Sequence, residues 1–165
     1  MFVLIRTITY ASLFIAFVLI YLPARVLAWA GITRPDALGW VQVVGGLVCA
    51  AGVAIALSCV VAFAWIGKGT PAPFDPPRKL VVRGPYRFVR NPMYIGAAVA
   101  LLGAALFYRS AALIAFVAGF LIVTHLFVVL YEEPTLRKMF GPEYRSYCAH
   151  VHRWMPVAGR AQLQG

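Results

Sequence analysis

Acidic residues are scarce in this sequence. Aspartate and glutamate together number 5, against 15 lysines and arginines, and charged residues make up only 12% of the 165 positions. Soluble domains carry about 25% charged residues, so this scarcity argues against a soluble fold. Hydrophobic residues fill the space and account for 62% of the chain. The composition therefore predicts an integral membrane protein.

Signatures of soluble cofactor domains and of metal sites are also missing. The sequence contains no GxGxxG, Walker A, GxSxG or HExxH motif, which excludes the nucleotide-binding, hydrolase and protease domains built on them. The three cysteines, Cys49, Cys59 and Cys148, show no CxxC spacing, so neither a zinc ribbon nor a redox pair is indicated. His150 and His152 lack further ligands nearby in sequence, and we expect no metal site.

Four apolar segments can cross a bilayer, whose core needs about 20 apolar residues in a helix. We predict spans at 4–22, 38–66, 93–108 and 111–131. The fold class is therefore all-α, a multi-span transmembrane helical bundle that forms a single membrane domain over 1–165.

Two of these spans have further features. The second span is longer than the bilayer core requires, so it should tilt, bend near Gly45–Gly46 or Gly52, or emerge into the cytoplasm. We predict emergence together with tilt. The last two spans are joined only by Arg109 and Ser110 and should form a helical hairpin. The third span also has a face of small residues that lets helices approach closely in lipid. That face comprises Gly96, Ala100, Gly103 and Ala104.

Lysine and arginine are distributed unevenly between the two sides. Short basic connections remain in the cytoplasm, and this rule places both termini, the loop 67–92 and the tail 132–165 there. Short interfacial helices are expected in the tail, with Gly141–Pro142 interrupting them. The bacterial inner membrane is the expected location. Because the basic residues are dispersed beside membrane spans, we expect anionic lipid head groups as their partners and no nucleic acid.

The stretch 78–96 is richer in special residue types than a simple connector requires. Tyr86 and Tyr94 bracket Arg87 and Arg90, and such a set could hold a polar ligand by stacking and charge. It could equally be an aromatic belt with positive-inside flanks.

Glu132 and Glu133 stand at the cytoplasmic end of the fourth span. Acidic groups at a helix C-terminus oppose the helix dipole, so we expect compensation by a bound cation or ligand amine. Ion pairs with nearby arginines, or capping of the tail helix, would serve as well. His125 lies about two turns earlier, where an ionisable residue is a functional candidate or a neutral ring bonded to a neighbouring helix.

The pattern G-P-Y-x-x-x-R-N-P-x-Y-x-G at 84–96, followed by E-E-x-x-L-x-x-x-F-G-x-x-Y-x-x-Y at 132–147, resembles the isoprenylcysteine carboxyl methyltransferase and phospholipid methyltransferase superfamily. The resemblance covers roughly 68–156. It implies a cytoplasmic-face site for S-adenosylmethionine and a lipid or lipidated acceptor, a small molecule or peptide, that arrives from the bilayer. Carried over by position, the implied cofactor contacts are Arg78, Lys79, Leu80, Val81, Tyr86, Asn91, Pro92, Met93, Tyr94 and Glu132.

Three positions depart from the family pattern. The family usually has histidine where this chain has Asn91, and proline where it has His152. The isoprenylcysteine enzymes have a substrate-facing arginine where this chain has Val128, which speaks against carboxyl methylation of a prenylated cysteine. No catalytic residue is assigned, and the candidates for proton handling are Glu133, His125 and Asn91.

The sequence thus favours an S-adenosylmethionine-dependent membrane methyltransferase acting on a lipophilic acceptor. Two alternatives stay open. An NADPH-dependent sterol-type reductase has similar motifs, although such enzymes generally have more than four spans. A non-catalytic membrane scaffold would have kept the fold and lost the chemistry.

Overall fold

A computed structural model describes residues 15–33, 38–62 and 80–157, together with Thr9 and Leu13. All regular secondary structure in these residues is helical, as the sequence predicts. The α-helices are α1 (Leu22–Trp29), α2 (Trp40–Ala62), α3 (Pro92–Phe107), α4 (Ala111–Phe127) and α5 (Glu133–His150). The segment Ile15–Tyr21 before α1 and the segment Val128–Glu132 between α4 and α5 are π-helical, and Gly84–Arg87 forms a 3₁₀ turn.

The first helical region ends later in the chain than the sequence predicts. The prediction ends the first span at residue 22, because Pro23 and Arg25 follow the apolar run. In the structure the helix continues to Trp29. Pro23 lies in the first turn of α1, where proline is tolerated, and the wider π turn precedes it. Residues 4–8, 10–12 and 14 of this span, 63–66 of the second span, 67–79 of the loop and 158–165 of the tail lie outside the described residues.

Helices α2 and α3 form the closest helix pair, and they run antiparallel. Gly45 lies against Gly103 and Phe107, while Gly52 lies against Gly96 and Ala100. A Cβ atom added to Gly45 would come within 2.6 Å of the Phe107 backbone nitrogen, so only glycine allows this approach. The small-residue face predicted on the third span is therefore a packing surface. Gly45 and Gly52 supply close contacts within a helix that runs uninterrupted from Trp40 to Ala62.

Helices α3 and α4 form the predicted hairpin through a turn at Tyr108–Ser110. Arg109 takes a positive φ of 49° in this turn. The buried Ser110 side chain accepts a hydrogen bond of 3.3 Å from the Leu113 backbone N–H and caps the start of α4. Such a cap satisfies one of the free N–H groups at a helix start.

Helix α4 continues through the π turn into α5 without a loop. Pro134 follows the π turn and has no N–H to donate to the preceding turn. Further along, Gly141 leaves helical geometry with φ 50° and ψ −117°, at the predicted Gly141–Pro142 interruption. The apolar part of this long helix ends at Tyr131, so Glu132 and Glu133 follow it directly.

Two helices in the described residues are long and apolar enough to cross a membrane. They are Trp40–Ala62 and the continuous helix Ala111–His150. The apolar helices Ala16–Trp29 and Pro92–Phe107 are shorter.

Candidate functional site

The π turn presents the Glu132 carboxylate to the first turn of α3. There the Tyr94 hydroxyl donates a hydrogen bond of 3.2 Å to Oε2 of Glu132. The two residues are 38 positions apart, so the contact depends on the return of α4 beside α3. Single π turns inside α-helices occur frequently at functional sites.

Tyr86 lies on the same side, in the 3₁₀ turn before α3. Its ring is buried in a cluster with Cys59, Ala62 and Val81, and Met93 packs against that cluster. A hydrogen bond joins the Tyr86 side chain to the Cys59 thiol near the end of α2. Burial, reinforced by neighbouring groups that include Cys59 and Glu132, raises the pKa of Tyr86 well above its usual value, so its hydroxyl stays neutral.

The surroundings of the Glu132 carboxylate disfavour its ionised form. Burial is the main reason that its pKa is raised; the Tyr94 hydrogen bond lowers the pKa, and the charge of Glu133 raises it again. Among the described residues no arginine, lysine or histidine forms an ion pair with Glu132. A cation bound here would stabilise the ionised carboxylate.

Glu133 has a different set of partners. Its buried carboxylate accepts two hydrogen bonds from Arg153, from Nε to Oε1 at 2.7 Å and from Nη2 to Oε2 at 2.9 Å. Arg90 Nη1 donates to Oε1 at 3.1 Å, and Arg137 Nη2 lies 3.6 Å from Oε2. Burial alone would raise the pKa of Glu133, but the Arg153 hydrogen bond and the charges of Arg90, Arg153 and Arg137 lower it overall.

The chain after α5 folds back along residues 88–91. The backbone N–H of Arg90 donates to the His152 carbonyl at 2.9 Å, and the N–H of Val157 donates to the Phe88 carbonyl at 2.9 Å. The buried Asn91 side chain donates from Nδ2 to the Arg153 carbonyl at 3.1 Å. These bonds hold the C-terminal segment 151–157 against the N-terminus of α3.

His125 contacts the same C-terminal segment. The Trp154 indole N–H donates to His125 Nδ1 at 3.0 Å, and the two rings lie 6.0 Å apart. Of the two alternatives for His125, hydrogen bonding within the protein is the one that the structure shows, although the partner lies in the C-terminal segment rather than on a neighbouring helix.

A model of the phospholipid methyltransferase family matches residues 40–143. This match extends from the start of α2 past the Gly141 break and covers well over half of the chain. The chain belongs to the phospholipid methyltransferase family. No curated protein and no solved structure matches it significantly.

The family assignment makes the chain a member of a group of membrane methyltransferases, within the superfamily that the motifs indicate. The matched range contains Tyr86, Tyr94, Glu132 and Glu133. It ends before Arg153 and Trp154, which the fold brings back to the matched region. The site seen in this phospholipid methyltransferase family member therefore includes a segment beyond the family match.

The structure brings part of the sequence-predicted cofactor set together. Tyr94 bonds to Glu132, and Tyr86, Val81 and Met93 form the cluster beside this pair. Pro92 is buried at the start of α3. Arg78 and Lys79 lie outside the described residues.

The other predicted residues face elsewhere. Leu80 packs with Tyr144, Tyr147 and Val151 of the C-terminal region, and Asn91 is bonded to the segment 151–157. Tyr147 links the two regions, because its hydroxyl donates to the Tyr86 carbonyl at 2.6 Å.

Three residues of the site carry no sequence signal that singles them out. Cys59 sits in an apolar span, and its role beside Tyr86 appears only in the fold. Arg153 and Trp154 reach Glu133 and His125 across 20 and 29 positions. For Arg153 and Trp154 the one available sign is that they lie within 68–156, the range over which the chain resembles the superfamily.

Proposed function

We propose that this protein transfers a methyl group from S-adenosylmethionine to a lipophilic or membrane-borne acceptor. The observation that carries the proposal is the Glu132–Tyr94 pair, a partly buried carboxylate without a described cationic partner, in a chain of a methyltransferase family. Of the alternatives raised by the sequence, reduction with NADPH gives no reason for a methyltransferase family match. A non-catalytic scaffold that kept the fold would match the same family, and the cofactor-binding experiment below tests it.

The residues at the π turn fit the chemistry of this cofactor. S-adenosylmethionine supplies, when bound, a methyl group on a positively charged sulfonium and also carries an ammonium group. Glu132 would bind the ammonium group, which S-adenosylhomocysteine also carries, and the neighbouring Tyr86 and Tyr94 would contribute aromatic surface, which attracts cations. Val81, Pro92 and Met93 would form the apolar wall, and Arg78 and Lys79 would extend the site from the adjoining loop.

We also propose the membrane arrangement that the sequence predicts. In it the helices Pro92–Phe107 and Ala16–Trp29 cross the bilayer together with the two longer ones, giving four spans. The loop 67–92, the tail 132–165 and both termini are then cytoplasmic, in a bacterial inner membrane. The acceptor reaches the Glu132 site laterally from the lipid.

In this reaction the protein mainly aligns donor and acceptor and excludes water, since displacement at a methyl group needs no covalent enzyme intermediate. An acceptor that attacks as an anion needs no base. We assign Glu133 to the ion pairs with Arg90 and Arg153 rather than to proton transfer, because a carboxylate with a lowered pKa is a poor base near neutral pH. Asn91 holds the segment 151–157 in place.

Calorimetric titration of the detergent-purified protein with S-adenosylhomocysteine tests the proposal. We expect binding by the wild type and a loss of about tenfold or more in affinity for Glu132→Gln, since hydrogen bonds and contacts to a charged group are worth about 1.5–3 kcal/mol. Glu143→Gln is the matched control, because Glu143 is an exposed carboxylate on the same long helix. NADPH is titrated in parallel.

Two results would contradict the proposal. One is the absence of S-adenosylhomocysteine binding in a wild-type sample whose cooperative thermal unfolding shows that it is folded. The other is binding of NADPH in its place. Methyl transfer to an extracted lipid mixture, followed with labelled methyl donor, then identifies the acceptor class.

A further inference from the structure

The cluster around Glu133 contains more positive charge than its carboxylate neutralises. Arg90, Arg137 and Arg153 each place a guanidinium nitrogen within 3.6 Å of a Glu133 oxygen. Three positive charges thus share one negative charge, which leaves a surplus of two. In the described part of the chain these three arginines form ion pairs with no other carboxylate.

This cluster also has fewer hydrogen-bond acceptors than donors. A guanidinium has five N–H donors, whereas a carboxylate has only about four lone-pair positions. Arg90 gives one Nη1 proton to Glu133 and another to Cys148 Sγ at 3.0 Å, and a thiol is a weak acceptor. Arg90 Nε is buried and has no hydrogen-bond partner among the described residues. The cluster therefore lacks oxygen atoms that could accept from its arginines.

The outer side of the cluster is open to a ligand. The Arg137 side chain is 60% exposed, and its 3.6 Å contact with Glu133 is too long for a hydrogen bond. Arg153 uses Nε and Nη2 for Glu133, and its side chain is 31% exposed. Donors of both residues therefore remain for a group that approaches from outside.

We propose that Arg137 and Arg153 form a binding site for a phosphate group at this edge of the cluster. Guanidinium groups bind phosphate oxygens through paired N–H donors, and a phosphate carries one or two negative charges that match the surplus. The phosphate can belong to a lipid head group or be free in solution. The cluster follows the apolar part of the helix, which ends at Tyr131, so it lies at the depth of lipid head groups in the proposed membrane arrangement.

This site is separate from the Glu132–Tyr94 pair and does not rest on the methyl-transfer proposal. Neither Glu132 nor Tyr94 touches the exposed side of Arg137 or Arg153 through any described hydrogen bond or ion pair. Each proposal can therefore fail alone.

Calorimetry in an uncharged detergent at constant ionic strength tests the phosphate site. The probes are a short-chain phosphatidic acid and inorganic phosphate, each titrated without cofactor. Arg137→Gln should weaken binding about tenfold, because it removes a charge-assisted contact. Lys138→Gln, which removes the same charge from the adjacent exposed residue, should weaken binding less than about twofold, as expected of a distant screened charge. The effect of Arg137→Lys on binding should fall between the two, since lysine keeps the positive charge but cannot offer the paired N–H donors of a guanidinium.

The outcomes separate the possible sources. Binding of both probes means that the phosphate group itself is recognised, whereas binding of the lipid alone assigns the site to a head group; both support the proposal. No binding of either probe overturns it, and so does equal weakening by Arg137→Gln and Lys138→Gln, which indicates diffuse attraction. Binding of S-adenosylhomocysteine should be unchanged in Arg137→Gln. If the wild type binds a phosphate probe but no S-adenosylhomocysteine, only the methyl-transfer proposal fails.

Discussion

Glu132 and Glu133 are consecutive residues at the junction of the π turn and α5, and their carboxylates have different partners. Within the part of the chain that the structure describes, Glu132 accepts a single hydrogen bond, from the neutral Tyr94 hydroxyl. Glu133 accepts from Arg90 and Arg153, and Arg137 adds a third positive charge. The pKa is raised at Glu132, mainly by burial, whereas at Glu133 the arginines outweigh burial and lower it.

This difference shows how one short stretch of helix can contribute both to the fold and to ligand binding. A carboxylate already neutralised by the protein contributes to the fold and has little left to offer a ligand. A carboxylate left without a described cation is costly to keep ionised, and a cationic ligand recovers that cost. Environments that push neighbouring pKa values apart are how proteins divide roles between identical groups.

The largest expected effect is on stability, from the change Glu133→Gln. The amide keeps the shape but leaves Arg90 and Arg153 without their carboxylate. Removing one partner of a buried ion pair typically costs on the order of 3 kcal/mol, so thermal unfolding in detergent should occur at clearly lower temperature. Glu132→Gln should leave the unfolding temperature nearly unchanged. If both variants are destabilised equally, the division of roles between the two carboxylates is wrong.

The same comparison predicts an order of events on acidification. Cation binding needs ionised Glu132, and its raised pKa means that affinity for S-adenosylhomocysteine declines at a higher pH than for an ordinary carboxyl group. Protonating Glu132 does not itself unfold the protein, since the folded state favours its neutral form. The Glu133 contribution to stability is present above the pKa of an unfolded glutamate and is lost as pH falls through the lowered folded pKa.

Titration calorimetry and thermal unfolding over the acidic range check this order. Affinity for the cofactor product should fall first, and stability should fall at lower pH. The decline in affinity should disappear from Glu132→Gln, whose residual binding no longer depends on this carboxyl group. Simultaneous loss of binding and structure in the wild type would contradict the prediction.

Local patterns were enough to predict most of the helices. The third span, predicted at 93–108, is Pro92–Phe107 in the structure, since Pro92 and the Arg109–Ser110 turn delimit an apolar run. Tyr86, Tyr94 and Glu132 were reached through the motif resemblance. The close contact between α2 and α3 could be predicted only in part, because small residues allow such contact in lipid without specifying the partner helix.

The partners of Glu133 were beyond local patterns. Arginines near the carboxylates suggested ion pairs, but the choice of Arg90 and Arg153 depends on the C-terminal segment folding back to residues 88–91. The hydrogen bond between Cys59 and Tyr86 depends likewise on where the end of α2 meets the 3₁₀ turn. Neither arrangement has a periodicity or a spacing that a sequence displays.

A smaller effect is expected from Asn91→Ala, which acts on the segment that carries Arg153. Losing the 3.1 Å bond from Asn91 to the Arg153 carbonyl should cost about 1 kcal/mol, the usual value of one hydrogen bond. Hydrogen exchange should accelerate in 151–157 and stay unchanged in α2. Protection that is lost throughout the protein would mean that Asn91 supports the whole fold rather than this segment.

The smallest expected effect comes from Tyr94→Phe, which removes the hydroxyl that bonds to Glu132 and leaves the ring. Because that hydrogen bond lowers the pKa of Glu132, its loss should raise the pKa further. The pH at which cofactor affinity declines should then move upward, with affinity at higher pH little changed because the carboxylate is ionised there. The free energy of unfolding should stay within about 0.5 kcal/mol of the wild-type value, as for a partly exposed substitution. An unchanged pH dependence would show that Tyr94 does not tune Glu132, and the contrast between the two carboxylates would then rest on burial and on the arginines alone.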